Sequence, residues 1–97
     1  MTIQLNSLIR RSENQVSTII DGEVALLNLE TSLYYGLDLV GATVWDMLSG
    51  GSTLAEICHA VAAKFDVDES LCQQDIIALL RNLEVAGLVK ITQHIAL

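Results

Sequence analysis

Cys58-His59, a distant Cys72 and the acids Asp66, Asp68 and Glu69 are the residues whose types and spacing could do chemistry. A Cys-His pair followed by one remote Cys is not a zinc-ligand pattern, and the other histidine, His94, sits near the C-terminus. Both cysteines fall within helical segments, and nothing points to an oxidising compartment, so buried free thiols are expected. The three acids precede a helix; they fit a solvated connection and the acid-favouring start of a helix better than a metal loop. No G-x-S-x-G elbow, phosphate-binding glycine loop or HExxH appears. The expectation is a protein that is not an enzyme and carries no metal and no cofactor.

Charge narrows the partners. Twelve acids face five bases, and after Arg10 and Arg11 only Lys64, Arg81 and Lys90 remain. Nucleic-acid binders gain most of their affinity by neutralising phosphates with Lys and Arg, and this chain repels phosphate. With 97 residues, 52% hydrophobic and 18% charged, it has the composition of one folded domain rather than of a disordered chain. No apolar run approaches the ~20 residues of a membrane span, and "MTIQLNSLIRRSENQ" lacks the order of a secretory signal. A cytoplasmic protein with no membrane contact is expected.

The stretch "TSLYYGLD", residues 31–38, is the one that asks for a partner. A strand alternates its side chains, so Tyr34 and Tyr35 point to opposite faces: one enters a core and its neighbour faces away. Leu33, Tyr34, Tyr35, Gly36 and Leu37 include none of the Lys, Pro or inward charges that usually blunt a sheet edge. Such an edge is either covered, with both tyrosines at a core rim, or open to an extended peptide that adds as a strand.

Two kinds of element must position that edge. Asp21-Gly22 is a two-residue type I′ hairpin signature between strands near Val16–Ile20 and Glu23–Leu29, and a turn at Glu30-Thr31-Ser32 leads into Leu33–Leu37. Residues 3–10 lengthen or precede the first strand. Three helices follow. Asp38 caps "VGATVWDMLS" before Gly50-Gly51; Thr53-Leu-Ala-Glu56 is a capping box for a helix to about Phe65; Ser70-Leu-Cys-Gln73 repeats that pattern for one to about Ala86. Gly87 supplies the left-handed position after it, and Leu88–Ile91 form a short extended tail. The apolar stripes run through Val40, Val44, Met47 and Leu48; Leu54, Ile57, Val61 and Phe65; and Ile76, Leu79, Leu80 and Leu83. The fold class is α+β, a three-stranded antiparallel sheet followed by three helices, like a winged helix-turn-helix. On that fold the third helix would read DNA, but here it carries Asp75 and Glu84 against Arg81. A winged-helix regulator that binds DNA or protein is the alternative.

The run "LYYGLDLVGATVWDMLSGGSTLAEICHAVAAKFDVD", closed by "LEVAGLVKI", resembles the PqqD-like family, the leader-recognition elements of ribosomally made, post-translationally modified peptides. The likeness lies in Y-Y-G-L-D before V-G-A, the tryptophan after it, the G-G break, T-x-x-E-I and the closing A-G-L-V. It covers about residues 16–91 of the single domain 1–97, and the hairpin is most similar to members from lasso-peptide clusters. A PQQ-pathway peptide chaperone is a second version of the same resemblance. The resemblance implies that a precursor's leader adds as an antiparallel strand to Leu33–Leu37, in a groove whose other wall is the third helix, at Asp75, Ala78, Leu79 and Asn82. One tyrosine would then wall that groove, and proline at Leu33 or Tyr35 would remove a donor the leader needs. The implied partners are the precursor peptide and a maturation enzyme, either a leader protease or a radical enzyme. Self-pairing of the open edge would give a homodimer.

Overall fold

A computed structural model describes residues 3–21 and 23–93 of the chain; Gly22 and His94 lie outside the described residues. The hairpin joins β2 (Gln15–Ile20) to β3 (Glu23–Asn28), with Ile20 opposite Glu23 and Asp21 in the left-handed region at φ 53°. That backbone is what a two-residue turn between right-twisted strands requires. A longer corner at 29–33 returns the chain as β4 (Tyr34–Leu37). Together they form the antiparallel sheet β2-β3-β4.

Each helix starts where a side-chain oxygen meets its first amides. Asp38 caps α1 (Leu39–Met47) by accepting from the Gly41 N–H at 2.8 Å. Gly41 allows that first turn to sit on the end of β4, because a Cβ there would lie 3.3 Å from Leu37. Thr53 and Glu56 exchange both bonds of the capping box at the start of α2 (Leu54–Phe65). The third helix, α3 (Glu69–Val85), departs from the expectation: its cap is Asp68, not Ser70. The carboxylate accepts from both the Ser70 and Leu71 amides, and Ser70, a residue inside the helix, donates its own hydroxyl to the same oxygen. At the far end Gly87 takes φ 76°, Leu88 N–H donates to Leu83 O, and Gly87 N–H donates to Glu84 O. This is the paired closure that needs a left-handed glycine, and buried Leu88 folds back under it.

A second sheet was not anticipated. β1 (Leu8–Arg11) pairs with β6 (Val89–Thr92) on one side and with the two-residue β5 (Ser52–Thr53) on the other, in the order β5-β1-β6. The segment read as an extended tail is thus a paired strand, and residues 8–11 do not lengthen β2. The fold is α+β, with two three-stranded antiparallel sheets where the sequence suggested one.

One core joins both sheets and all three helices. Ile9, Leu26, Val44, Leu48, Leu54, Ile57, Ile76, Leu80 and Leu88 are all inaccessible to solvent or nearly so. At about 25 cal/mol per Å² of apolar surface, each such side chain supplies roughly 1.5–3 kcal/mol. Trp45 is buried and packs α1 against the second sheet. Arg11 of β1 lies 4.6 Å from the ring centroid and donates Nε and Nη2 to the Trp45 carbonyl. The last turn of α1 has no basic residue of its own, so Arg11 supplies the cation its carbonyl end favours.

Three side chains anchor the meander to the rest of the fold. Leu26 and Leu37 enter the core, and Asn28, 5% exposed, ties the end of β3 to the end of α3. Its Nδ2 donates to Ala86 O at 2.8 Å, while its Oδ1 accepts from the Glu30 and Thr31 amides.

Candidate functional site

The register of the meander decides which backbone groups of β4 are free. Leu29 N–H donates to Asn14 O, and Asn28 N–H donates to Leu33 O. Hydrogen-bonded pairs alternate along an antiparallel ladder. In β3, residues 23, 25 and 27 therefore bond to β2, while 24, 26 and 28 bond to β4. The β4 partners of the latter are Leu37, Tyr35 and Leu33. Tyr34 and Gly36 turn their N–H and C=O the other way, out of the sheet, and β4 is an edge strand. The free donors lie at Tyr34 and Gly36, not at Leu33 and Tyr35 as the proline expectation had it.

The tyrosines also differ from expectation. Neither is buried: Tyr34 is 71% exposed and Tyr35 37%. Tyr35 shares the helix-facing side of the sheet with its partner Leu26, but Leu26 and Leu37 already fill the interior at that level. Its ring stops at the margin of the core. Tyr34 stands on the opposite face. A Cβ at Gly36 would meet nothing within 4 Å, so no packing requires the glycine.

Beyond the C-terminal end of β4 opens a groove of about 570 Å³. Asp38, Val40 and Gly41 at the start of α1 form one wall, Leu71, Cys72, Asp75, Ile76 and Leu79 of α3 the other, and Val61 and Phe65 of α2 the floor. Val67 and Asp68 close its end. Of the four positions expected on α3, Asp75 and Leu79 line this groove; Ala78 and Asn82 are exposed on the helix and do not line it. Among the edge residues, Leu37 is buried and Leu33 exposed. Leu71, 69% exposed one turn before Asp75, and Val40 were not among the expected residues. Leu71 could have been found as an apolar residue off the buried stripe of α3.

The groove has apolar walls and carboxylates around it. Asp38 and Asp68 each commit an oxygen to a helix start; Asp75 makes no hydrogen bond or ion pair among the described residues. Burial, and then the Asp75 charge beside it, pushes the Cys72 thiol above its ordinary value. Both cysteines are free and buried. His59 is solvent-exposed and lies 3.8 Å from Glu69. Among the described residues no group of acids, histidines and cysteines could hold a metal ion, and no helix is long and apolar enough to cross a membrane.

The sheet face turned away from the helices is also apolar. Ala25, Leu27 and Tyr34, with Thr18 and Ile20 of β2, surround a shallow depression of about 200 Å³, and exposed Val16 stands opposite Leu27.

The family model described as coenzyme PQQ synthesis protein D (PqqD) matches residues 23–89. The structure of TbiB1 in complex with the TbiA(beta) leader peptide is 38% identical, with a TM-score of 0.77, over 84% of this chain and 94% of that one. A lasso peptide synthetase B1 complexed with the leader peptide has a TM-score of 0.76 over 84% of this chain and 96% of its own; at 21% identity that likeness is one of fold. No curated protein matches.

Proposed function

The chain belongs to the PqqD family, and on that premise we propose that it binds the leader of a ribosomally made precursor peptide as an antiparallel strand on β4. The observation that carries the reading is the pair of outward-facing backbone units at Tyr34 and Gly36, set beside an apolar groove. Main-chain pairing supplies affinity with little sequence demand, and side-chain pockets supply selection. The protein acts as a recogniser rather than a catalyst, in the cytoplasm where its peptide is made. The 38% identical neighbour binds a leader peptide, which supports leader recognition, and we take the lasso-type version of the resemblance, to which the hairpin leans, over PQQ synthesis.

Leu33, Tyr35, Leu37, Leu79 and Asp75 border the bound strand in this reading, with Ala78 and Asn82 further along the exposed side of α3. Handing the leader to a maturation enzyme, a leader protease above all, calls for a second surface. The outer sheet face around Leu27 and Tyr34 suits that role. From Ser12 to Ala63 the chain has no Lys or Arg, while Asp21, Glu23 and Glu30 lie along the meander. Two copies would bring like charges together, so the fitting partner is an enzyme surface with an apolar centre and basic margins rather than a second copy.

Fluorescence anisotropy tests the reading, with a labelled peptide spanning the leader of the precursor encoded beside this chain and a DNA duplex in parallel, each at two salt concentrations. Saturable, salt-tolerant peptide binding without a DNA signal is expected. A steep, salt-sensitive DNA signal and no peptide binding would overturn it.

A further inference from the structure

Resting on the leader-binding reading, we propose that the groove selects a lysine or arginine on the N-terminal side of the leader's paired segment, through Asp75. A strand antiparallel to β4 passes Leu37 before it passes Tyr34. Its preceding residues therefore cross the end of β4, where Asp38, Val40 and Gly41 open the groove. The side chain that enters meets Val61, Phe65, Ile76 and Leu79 along its stem and carboxylates at its head. No basic residue lines the groove. Lys64, beside it in sequence to Phe65, donates to Thr43 Oγ1 and lies over the Phe65 ring, 5.7 Å from its centroid.

The three carboxylates are not equivalent. Asp38 and Asp68 cap α1 and α3, and the helix starts offset part of their charge. Asp75 lies in the second turn of α3 with no pairing partner among the described residues, so it presents its full charge to whatever fills the groove. A wholly apolar occupant would leave that exposed rim carboxylate without a counter-charge. A long cationic side chain buries its methylenes and keeps its charged end at the rim, which satisfies floor and rim together.

The test is selection from a phage-displayed library of random peptides on the immobilised protein, followed by affinity measurements on a synthetic peptide from the enriched set. Enriched sequences are expected to carry Lys or Arg just N-terminal to an alternating apolar segment. Replacing that residue by norleucine keeps the stem and removes the charge; affinity should fall by about two- to fivefold, the range of a solvent-accessible ion pair. Asp75→Asn should cost the original peptide the same factor and the norleucine peptide nothing, a coupling that loss of packing alone would not give. Enrichment without a basic preference, or a cycle with no coupling, overturns the proposal while leaving strand addition intact. Peptides that bind Gly36→Pro as well as the unaltered protein, or no enrichment at all, overturn strand addition itself and this proposal with it.

Discussion

Leu26 and Tyr35 stand directly opposite each other across β3 and β4 and exchange the backbone bonds of that rung. The pairing places one side chain in the core and leaves the other at its margin. It also commits the Tyr35 amide to the sheet, so the neighbours of Tyr35 carry the free edge.

Proline separates the two classes of position. Tyr34→Pro and Gly36→Pro should fold and lose leader binding by at least tenfold, since each deletes an outward N–H. Tyr35→Pro deletes an inward one, leaves the Leu26 carbonyl unpaired, and should destabilise the fold by about 1–3 kcal/mol. Urea melts read the second effect and anisotropy the first; equal loss of stability in all three variants would refute the register.

Asn28 sets the distance between the sheet and α3. Asn28→Ala leaves the Ala86 carbonyl and two turn amides without their partner and should cost about 1–3 kcal/mol. Gly87→Ala should cost about 1–2 kcal/mol, because the backbone is left-handed and the added Cβ would lie 3.0 Å from Asn28 Nδ2. Both should also weaken leader binding, measurable by anisotropy on the folded fraction.

Acid stability should depend on Asp68. The Ser70 hydroxyl, then the Leu71 and Ser70 amides, hold its carboxyl below the usual range. The native value lies under the unfolded one, so the contribution is complete above the usual carboxylate range and is lost as pH falls through the depressed native value. Asp68→Asn keeps a cap without the charge. Thermal melts should show the unaltered protein ahead near neutrality and the gap closing as the pH drops; a gap independent of pH would refute the assignment.

The Cys58 thiol should be inert. Burial, with Cys72 and Glu69 adding to it, pushes it up to about 11. Iodoacetamide near pH 8 should label the native protein far more slowly than the protein in urea. The thiol's contribution to stability is complete below its unfolded value of about 8.5 and lost as pH rises through the native one, so alkaline melts should fall across that interval.

The outer sheet face and the groove should fail independently. Val16→Lys with Leu27→Lys adds charge to the outer face without touching the free edge. Leader affinity should stay unchanged while processing by the maturation enzyme drops; a matched loss of both would place these residues in the leader site.

The helix starts and the hairpin were legible because their signals are local. Asp38, the Thr53–Glu56 box, Gly87 and Asp21 each act on backbone within a few residues. The start of α3 was harder, since Asp68 and Ser70 offer competing oxygens, and the carboxylate, as the stronger acceptor, takes the amides. The second sheet left no local mark: Leu8–Arg11 is short and without clear alternation, and its partners lie near the middle and the far end of the chain. For the same reason nothing local tied Arg11 to Trp45. The strand at 34–37 could be read as an undefended edge, but which of its amides face outward depends on the rung at Asn28 and Leu33.

The pairing of β1 with β6 has a consequence for the order of synthesis. The meander joins sequence neighbours and can form early, whereas residues 8–11 wait for 89–92 to emerge. A nascent chain stalled once Gly51 has cleared the exit tunnel should therefore protect the β2–β3 amides from exchange and leave those of residues 8–11 unprotected. The edge exists before the domain is closed, and β6, made long after it, is the strand that closes it.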